Sequence, residues 1–152
     1  DKIAIETEKD PLYFENLENS RTVSKEGVSN AITVAAREVA DNIKVKVICC
    51  FTHGGTTAEL ASRERPRAPI IALTPYIETA RKLTLFWGLH CVVTTPVDRF
   101  KRAVMNAVKA AKLFDFASGK DLIIVIAGVP FNTPGSTNIL RVVSLEENFD
   151  DF

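Results

Sequence analysis

Apolar and polar positions along the chain switch between two periods. In SKEGVSNAITVAAREVADNI, residues 24–43, the apolar positions Val28, Ile32, Ala35, Val39 and Ile43 recur three or four apart. That spacing predicts an amphipathic helix with Ser24 as its N-cap. VKVICCFT follows as a continuous apolar run and predicts a buried strand. TTAELASRER predicts a helix, with Thr56 and Glu59 spaced as a capping box. After the strand pattern APIIALT, Thr74 and Pro75 predict the cap and first position of a helix reaching to Gly88. LHCVVTT predicts a third strand, and Thr95, Pro96 and Asp98 repeat the cap pattern before a long helix. That helix carries Phe100, Val104, Val108 and Ala111 on one face and ends before Gly119. DLIIVIAG and ILRVVSL predict two more strands.

Continuous β-branched runs alternating with helices argue for a parallel sheet covered on both faces. The expected architecture is α/β: a three-layer sandwich with about five strands, mostly parallel, and helices on both sides. Between the last two strands, VPFNTPGSTN leaves no room for a crossover helix, so that pair is predicted as an antiparallel hairpin. The domain spans residues 20–145, after a helix tail and linker over 1–19 and before an acidic tail over 146–152.

Composition narrows the class. At 152 residues, 46% apolar and 25% charged, the chain is one domain with an ordinary core. Its formal net charge is zero, which argues against partnership with nucleic acid or an anionic membrane. Three cysteines without zinc-ligand spacing read as core thiols of a reducing compartment. Asp1–Asp10 lacks a signal-peptide pattern, and no apolar run approaches the roughly 20 residues that cross a bilayer. A soluble cytoplasmic domain is predicted.

Candidate chemistry gathers where the first strand ends. Thr52-His53-Gly54-Gly55-Thr56-Thr57 joins a strand to a helix, at the carboxyl end of a parallel sheet where ligands bind. Glycines let the backbone curl close to a ligand, threonines offer hydroxyls, and the helix start supplies unpaired N–H groups. Two readings stand at this point: a phosphate monoester site, or a tight turn capped by Thr56. His53 is a candidate phosphate donor or a solvent-facing turn residue. Neither a P-loop nor a dinucleotide fingerprint is present. Cys50 precedes the loop as in cysteine phosphatases, but Thr56 stands where such loops need an arginine, so Cys49 and Cys50 are read as core. His90 is read as structural, and Trp87 as core or interface. Arg63, Arg65 and Arg67 are read as a solvated loop or subunit contact. Arg99, Lys101 and Arg102 open the long helix as a solvated face, with one of them able to reach a second phosphate. No paired carboxylates, Ser/His/Asp set or metal cluster stands out, so an anion-binding module is predicted rather than a catalyst.

RPRAPIIALTPYIETARKLTLFWGLHCVV, with FTHGGTTAELASRERP before it and GVPFNTPGSTNILRVV after it, resembles the carboxy-terminal domain of pyruvate kinase. That family shows T-x-S-G-x-[ST] after a strand, then R-P-x-x-P-I-[IL]-A-x-[ST] and A-R-x-L-x-L-x-x-G, and a closing G-[ST]-T-N hairpin. DKIAIETEKDPLYFENL resembles the segment where the last helix of the catalytic barrel enters this domain. The resemblance implies that Thr52–Thr57 holds the phosphate of an allosteric effector, with Gly54 replacing the family's serine. It also implies that Pro130, Asn132, Thr133, Pro134, Gly135, Ser136 and Thr137 form the effector loop, here without a basic residue. Fructose 1,6-bisphosphate is the usual effector; ribose 5-phosphate or AMP suits a loop without that cation. The parent reaction converts phosphoenolpyruvate and ADP to pyruvate and ATP with Mg²⁺ and K⁺, on a barrel that this chain lacks. The chain by itself is therefore expected to be inactive and to carry no cofactor. Its parent is expected to be a homo-oligomer, usually a tetramer. The alternative is an assembly domain without an effector, and a third reading gives Cys50 enzymatic chemistry.

Overall fold

A computed structural model describes residues 2–21, 26–131, 133 and 135–147. The five strand runs are β1 (Val47–Phe51), β2 (Ile70–Thr74), β3 (Leu89–Val93), β4 (Leu122–Gly128) and β5 (Thr137–Ser144). They form one sheet in the order β3-β2-β1-β4-β5. β1 to β4 run parallel, and β5 returns antiparallel to β4 along the sheet edge. The α/β three-layer expectation and its terminal hairpin hold. β1 and β2 are buried at every position because helices cover both faces. α3 (Val28–Ile43), α4 (Thr56–Arg63) and α5 (Ile77–Leu83) pack on one side over Ile48, Cys50, Ile70 and Ala72. α6 (Phe100–Leu113) covers the other, over Val47, Cys49, Phe51 and Ile71. Adjacent Cys49 and Cys50 thus point into opposite core layers, fully buried as predicted.

Helix beginnings differ from the sequence reading. α5 starts at Ile77 and stops at Leu83, short of Gly88, and α6 starts at Phe100. Both follow Thr-Pro junctions, where the residue before proline is held extended. The chain is still extended at Tyr76 and Arg99, which become the caps. In α3 the buried stripe is Thr33, Ala36, Arg37 and Ala40, while Ala35, Val28 and Ile43 are exposed. Small alanines let the helix settle close to the sheet, so fit outweighed bulk in choosing the buried face. Gly27 precedes this helix, and Ser24 lies outside the described residues.

Where a helix tail and linker were expected, α1 (Lys2–Lys9) and α2 (Pro11–Asn19) form a two-helix arm, with Asp10 accepting from the Leu12 N–H. Neither helix buries a residue fully; polar and aromatic contacts hold them. Trp87 Nε1 donates to Glu8 Oε1 at 2.7 Å. Arg65 stacks 4.6 Å from the Trp87 ring centre and donates to the Tyr13 hydroxyl, while Arg67 lies 4.8 Å from the Phe14 ring. Those arginines fasten the arm instead of forming a solvated loop, and Trp87 is an interface within the chain. Arg63 donates to Asn30 Oδ1. His90 packs edge-on to Phe114 and Phe116, a structural role as expected. Among the described residues no helix is long and apolar enough to cross a membrane.

Candidate functional site

The turn after β1 is built by its threonines and glycines. Thr52 is buried, and its Oγ1 accepts the Gly55 N–H at 2.9 Å. Thr52 therefore closes the turn, and Gly55 is the cap of α4; Thr56 and Glu59 form no capping box. Gly55 sits at φ +104°, and a Cβ there would lie 3.2 Å from Glu59 Oε1 and 3.3 Å from Leu83 Cδ2. Only glycine fits such a backbone without strain. A Cβ on Gly54, by contrast, would meet nothing within 4 Å. The His53 carbonyl accepts from Thr79 Oγ1 at 3.1 Å, and its exposed imidazole stands edge-on to Tyr76. No side chain caps α4. Its opening N–H groups have no intrahelical partner, and the helix start carries about half a positive charge.

A second wall comes from the β4–β5 loop. Thr57 Oγ1 and Thr137 Oγ1 meet at 2.5 Å in a buried contact between residues 80 apart in the chain. Gly128 ends β4 directly beneath this loop: a Cβ there would fall 2.4 Å from Ser136 Oγ and 2.8 Å from the Ser136 backbone. Ser29 Oγ donates to the Gly135 carbonyl at 2.9 Å, and the Asn138 side chain brackets both backbone groups of Val129. Ser136 Oγ donates to the Thr133 carbonyl at 2.8 Å.

Together the two loops enclose a cleft of about 60 Å³, well above the ~10–15 Å³ that admits a single water. Thr52, His53, Gly54, Thr56 and Thr57 line it from one side, and Thr133, Gly135, Ser136 and Thr137 from the other. Pro130 follows Val129 through a cis peptide and is not among the lining residues; Asn132 and Pro134 lie outside the described residues. Arg99, Lys101 and Arg102 are also not brought to the cleft wall, and Arg102 pairs with Asp98 at 3.4 Å. Sequence reasoning missed Phe51, Pro75, Thr95, Pro96, Val97, Gly128 and Phe131, which complete the lining. Most of them share one legible feature: they stand at or just beyond the carboxyl ends of strands, where an open α/β sheet binds ligands.

Cys50 offers no nucleophile to this cleft. Burial, then the neighbouring Cys49, push its thiol well above the ordinary range, and burial raises Cys49 to about 12. Among the described residues no group of three or more His, Cys, Asp or Glu could hold a metal ion. The site offers hydroxyls, an imidazole and a polarised helix start, groups able to hold an anion.

Residues 30–143 match the family described as pyruvate kinase, alpha/beta domain. Pyruvate kinase of Methylorubrum extorquens is 39% identical over 141 residues, covering 93% of this chain and 30% of that protein. One from Agrobacterium vitis is 42% identical over 141 residues, with the same coverage. That of Clostridium acetobutylicum is 33% identical over 145 residues, covering 95% of this chain and 31% of its own length. The chain thus spans about 30% of these relatives. With an α/β sandwich, a terminal antiparallel hairpin and a match across the sheet, this chain belongs to the pyruvate kinase alpha/beta domain family.

Proposed function

We propose that this chain is the regulatory and subunit-contact domain of a cytoplasmic pyruvate kinase, and that its cleft holds the phosphate of a small allosteric effector. The buried hydroxyl contact between Thr57 and Thr137 carries this reading. It ties the uncapped start of α4 to the far loop, so both walls converge on one place where a phosphate would meet N–H groups and hydroxyls. The parent enzyme converts phosphoenolpyruvate and ADP to pyruvate and ATP in glycolysis, with Mg²⁺ and K⁺. The described residues hold no cluster fit for such a metal, and no catalytic step is assigned to them. An effector here acts by preferring one arrangement of the parent's domains, in proportion to its difference in affinity for the two.

Thermal-shift titration with fructose 1,6-bisphosphate, ribose 5-phosphate, AMP and inorganic phosphate tests the site. A ligand at 100 times its Kd adds roughly 2.7 kcal/mol of stability. Gly54→Asp, which sets a carboxylate in open space at the cleft wall, is expected to abolish the shift without unfolding the domain. A shift that survives this substitution overturns the site.

Subunit assembly is the companion reading. β5 is an edge strand with Val142 37% exposed, a pattern that suits pairing with another copy in a homo-tetrameric parent. Sedimentation velocity at increasing protein concentration tests it, and a strictly monomeric chain would count against it.

A further inference from the structure

The turn after β1 and the start of α4 lean on one face of α5. Thr79, Lys82 and Leu83 are spaced three and four apart, which puts them on the same side of that helix. Thr79 Oγ1 donates to the His53 carbonyl at 3.1 Å, and a Cβ on Gly55 would lie 3.3 Å from Leu83 Cδ2. Lys82 Nζ donates to Glu59 Oε1 at 2.7 Å. Glu59 is the fourth residue of α4, and side chains on a helix lean back over the turn before them. Its carboxylate accordingly reaches the cap: the same Oε1 would stand 3.2 Å from a Cβ on Gly55. Neither Glu59 nor Lys82 lines the cleft, so this charge pair sits outside the cleft wall. A carboxylate in a first turn offsets the partial positive charge of the helix start, and so opposes any second anion there. Tied to Lys82, it carries its own counter-charge. With 30% of the Glu59 side chain and 58% of that of Lys82 exposed, such a pair contributes little to folding. Its consequence lies in where it keeps the carboxylate.

We infer that Lys82 is a positioning residue for anion binding: it restrains Glu59, an acid built into α4, from acting as the anion of its own helix start. Lys82 thereby sets how tightly that start takes an anion from outside. The inference rests on the phosphate reading of the cleft given above. Released from Lys82, the Glu59 carboxylate competes with a ligand through its charge and through its reach to the cap. Lys82 is exposed and touches no cleft residue's hydroxyl, so its charge can be removed without altering the lining.

A double-mutant cycle read by isothermal titration decides the matter, with fructose 1,6-bisphosphate, ribose 5-phosphate, AMP and inorganic phosphate as probes. Lys82→Met is expected to weaken whichever of them binds by about fivefold at low salt. In a Glu59→Gln background the same change is expected to alter affinity less than about twofold, because no carboxylate is left to release. Lys82→Arg keeps the pair and is expected to bind as the unsubstituted chain does. An equal loss from Lys82→Met in both backgrounds shows that Lys82 acts only as a distant charge, which overturns the positioning role. No loss from Lys82→Met overturns it too, while the site itself stands. Urea unfolding of the variants is expected to stay close to that of the unsubstituted chain, and an affinity loss that tracks a stability loss overturns the inference. If none of the four probes binds the unsubstituted chain, the phosphate reading falls and this inference falls with it.

Discussion

At its start α4 presents Gly54, Thr56 and Thr57 to the cleft, without a side-chain cap and, among the described residues, without a charged residue on the cleft wall. Its first-turn acid, Glu59, is already tied to Lys82 at 2.7 Å. At its other end Glu64 is surrounded by Arg21, Arg37 and Arg63 at 3.5, 3.7 and 3.6 Å, with Glu18 beyond them on the arm. Cations near a helix C-terminus offset its partial negative charge. The chain therefore compensates one end of this eight-residue helix and leaves the other for something it does not itself supply. The closed end is a matter of stability; the open end is a matter of binding.

Substitutions at the two ends should separate those quantities. The largest effect is expected from Glu64→Ala, which removes the carboxylate shared by Arg21, Arg37 and Arg63 and leaves Arg37, with its side chain 9% exposed, only the more exposed Glu18 and Glu38 as counter-charges. A loss of about 3 kcal/mol in urea unfolding is expected, with anion affinity unchanged. If affinity falls in parallel, the two ends are not independent. Gly55→Ala comes next. It forces a side chain onto φ +104° against Glu59 and Leu83, for about 2 kcal/mol of lost stability together with weaker anion binding. Thr57→Val keeps the volume but deletes the hydroxyl contact to Thr137, and costs about 1 kcal/mol in the same assay. Smallest is Gly54→Ser, which adds a hydroxyl in open space. It is expected to raise stability by about half a kcal/mol and to tighten anion binding about fivefold by calorimetry. No gain in affinity from this change would argue that the open end points away from the ligand.

Much of the fold was legible because the strands are strongly marked. Each β-branched run became a strand, and the missing crossover between the last two correctly implied a hairpin. Helix beginnings were less legible, since Thr-Pro serves as a cap pattern and also as an extended strand exit, and the sequence does not distinguish them. The α3 stripe was legible only in part: Ile32 and Val39 pack against the core, but Ala36 and Ala40 bury more closely while the bulkier Val28 and Ile43 stay exposed. At the site, the Thr/Gly turn was readable from local chemistry alone. Pairing Thr57 with Thr137 was not, because a contact across 80 residues leaves no local signature; the family resemblance had placed both loops near one ligand. The arginines after α4 were misjudged for the same reason. Their partners Tyr13, Phe14 and Trp87 lie far away in the chain.

Trp87 is the chain's single tryptophan, and its indole N–H is bonded to Glu8 on α1 beneath the Arg65 guanidinium. Intrinsic emission excited near the red edge of protein absorption therefore comes from one place, the seam where the arm meets the sheet domain. Its colour and quenching report whether that seam is shut. The chain carries a built-in optical gauge of how its amino-terminal helices are seated, separate from the cleft at which a ligand would arrive.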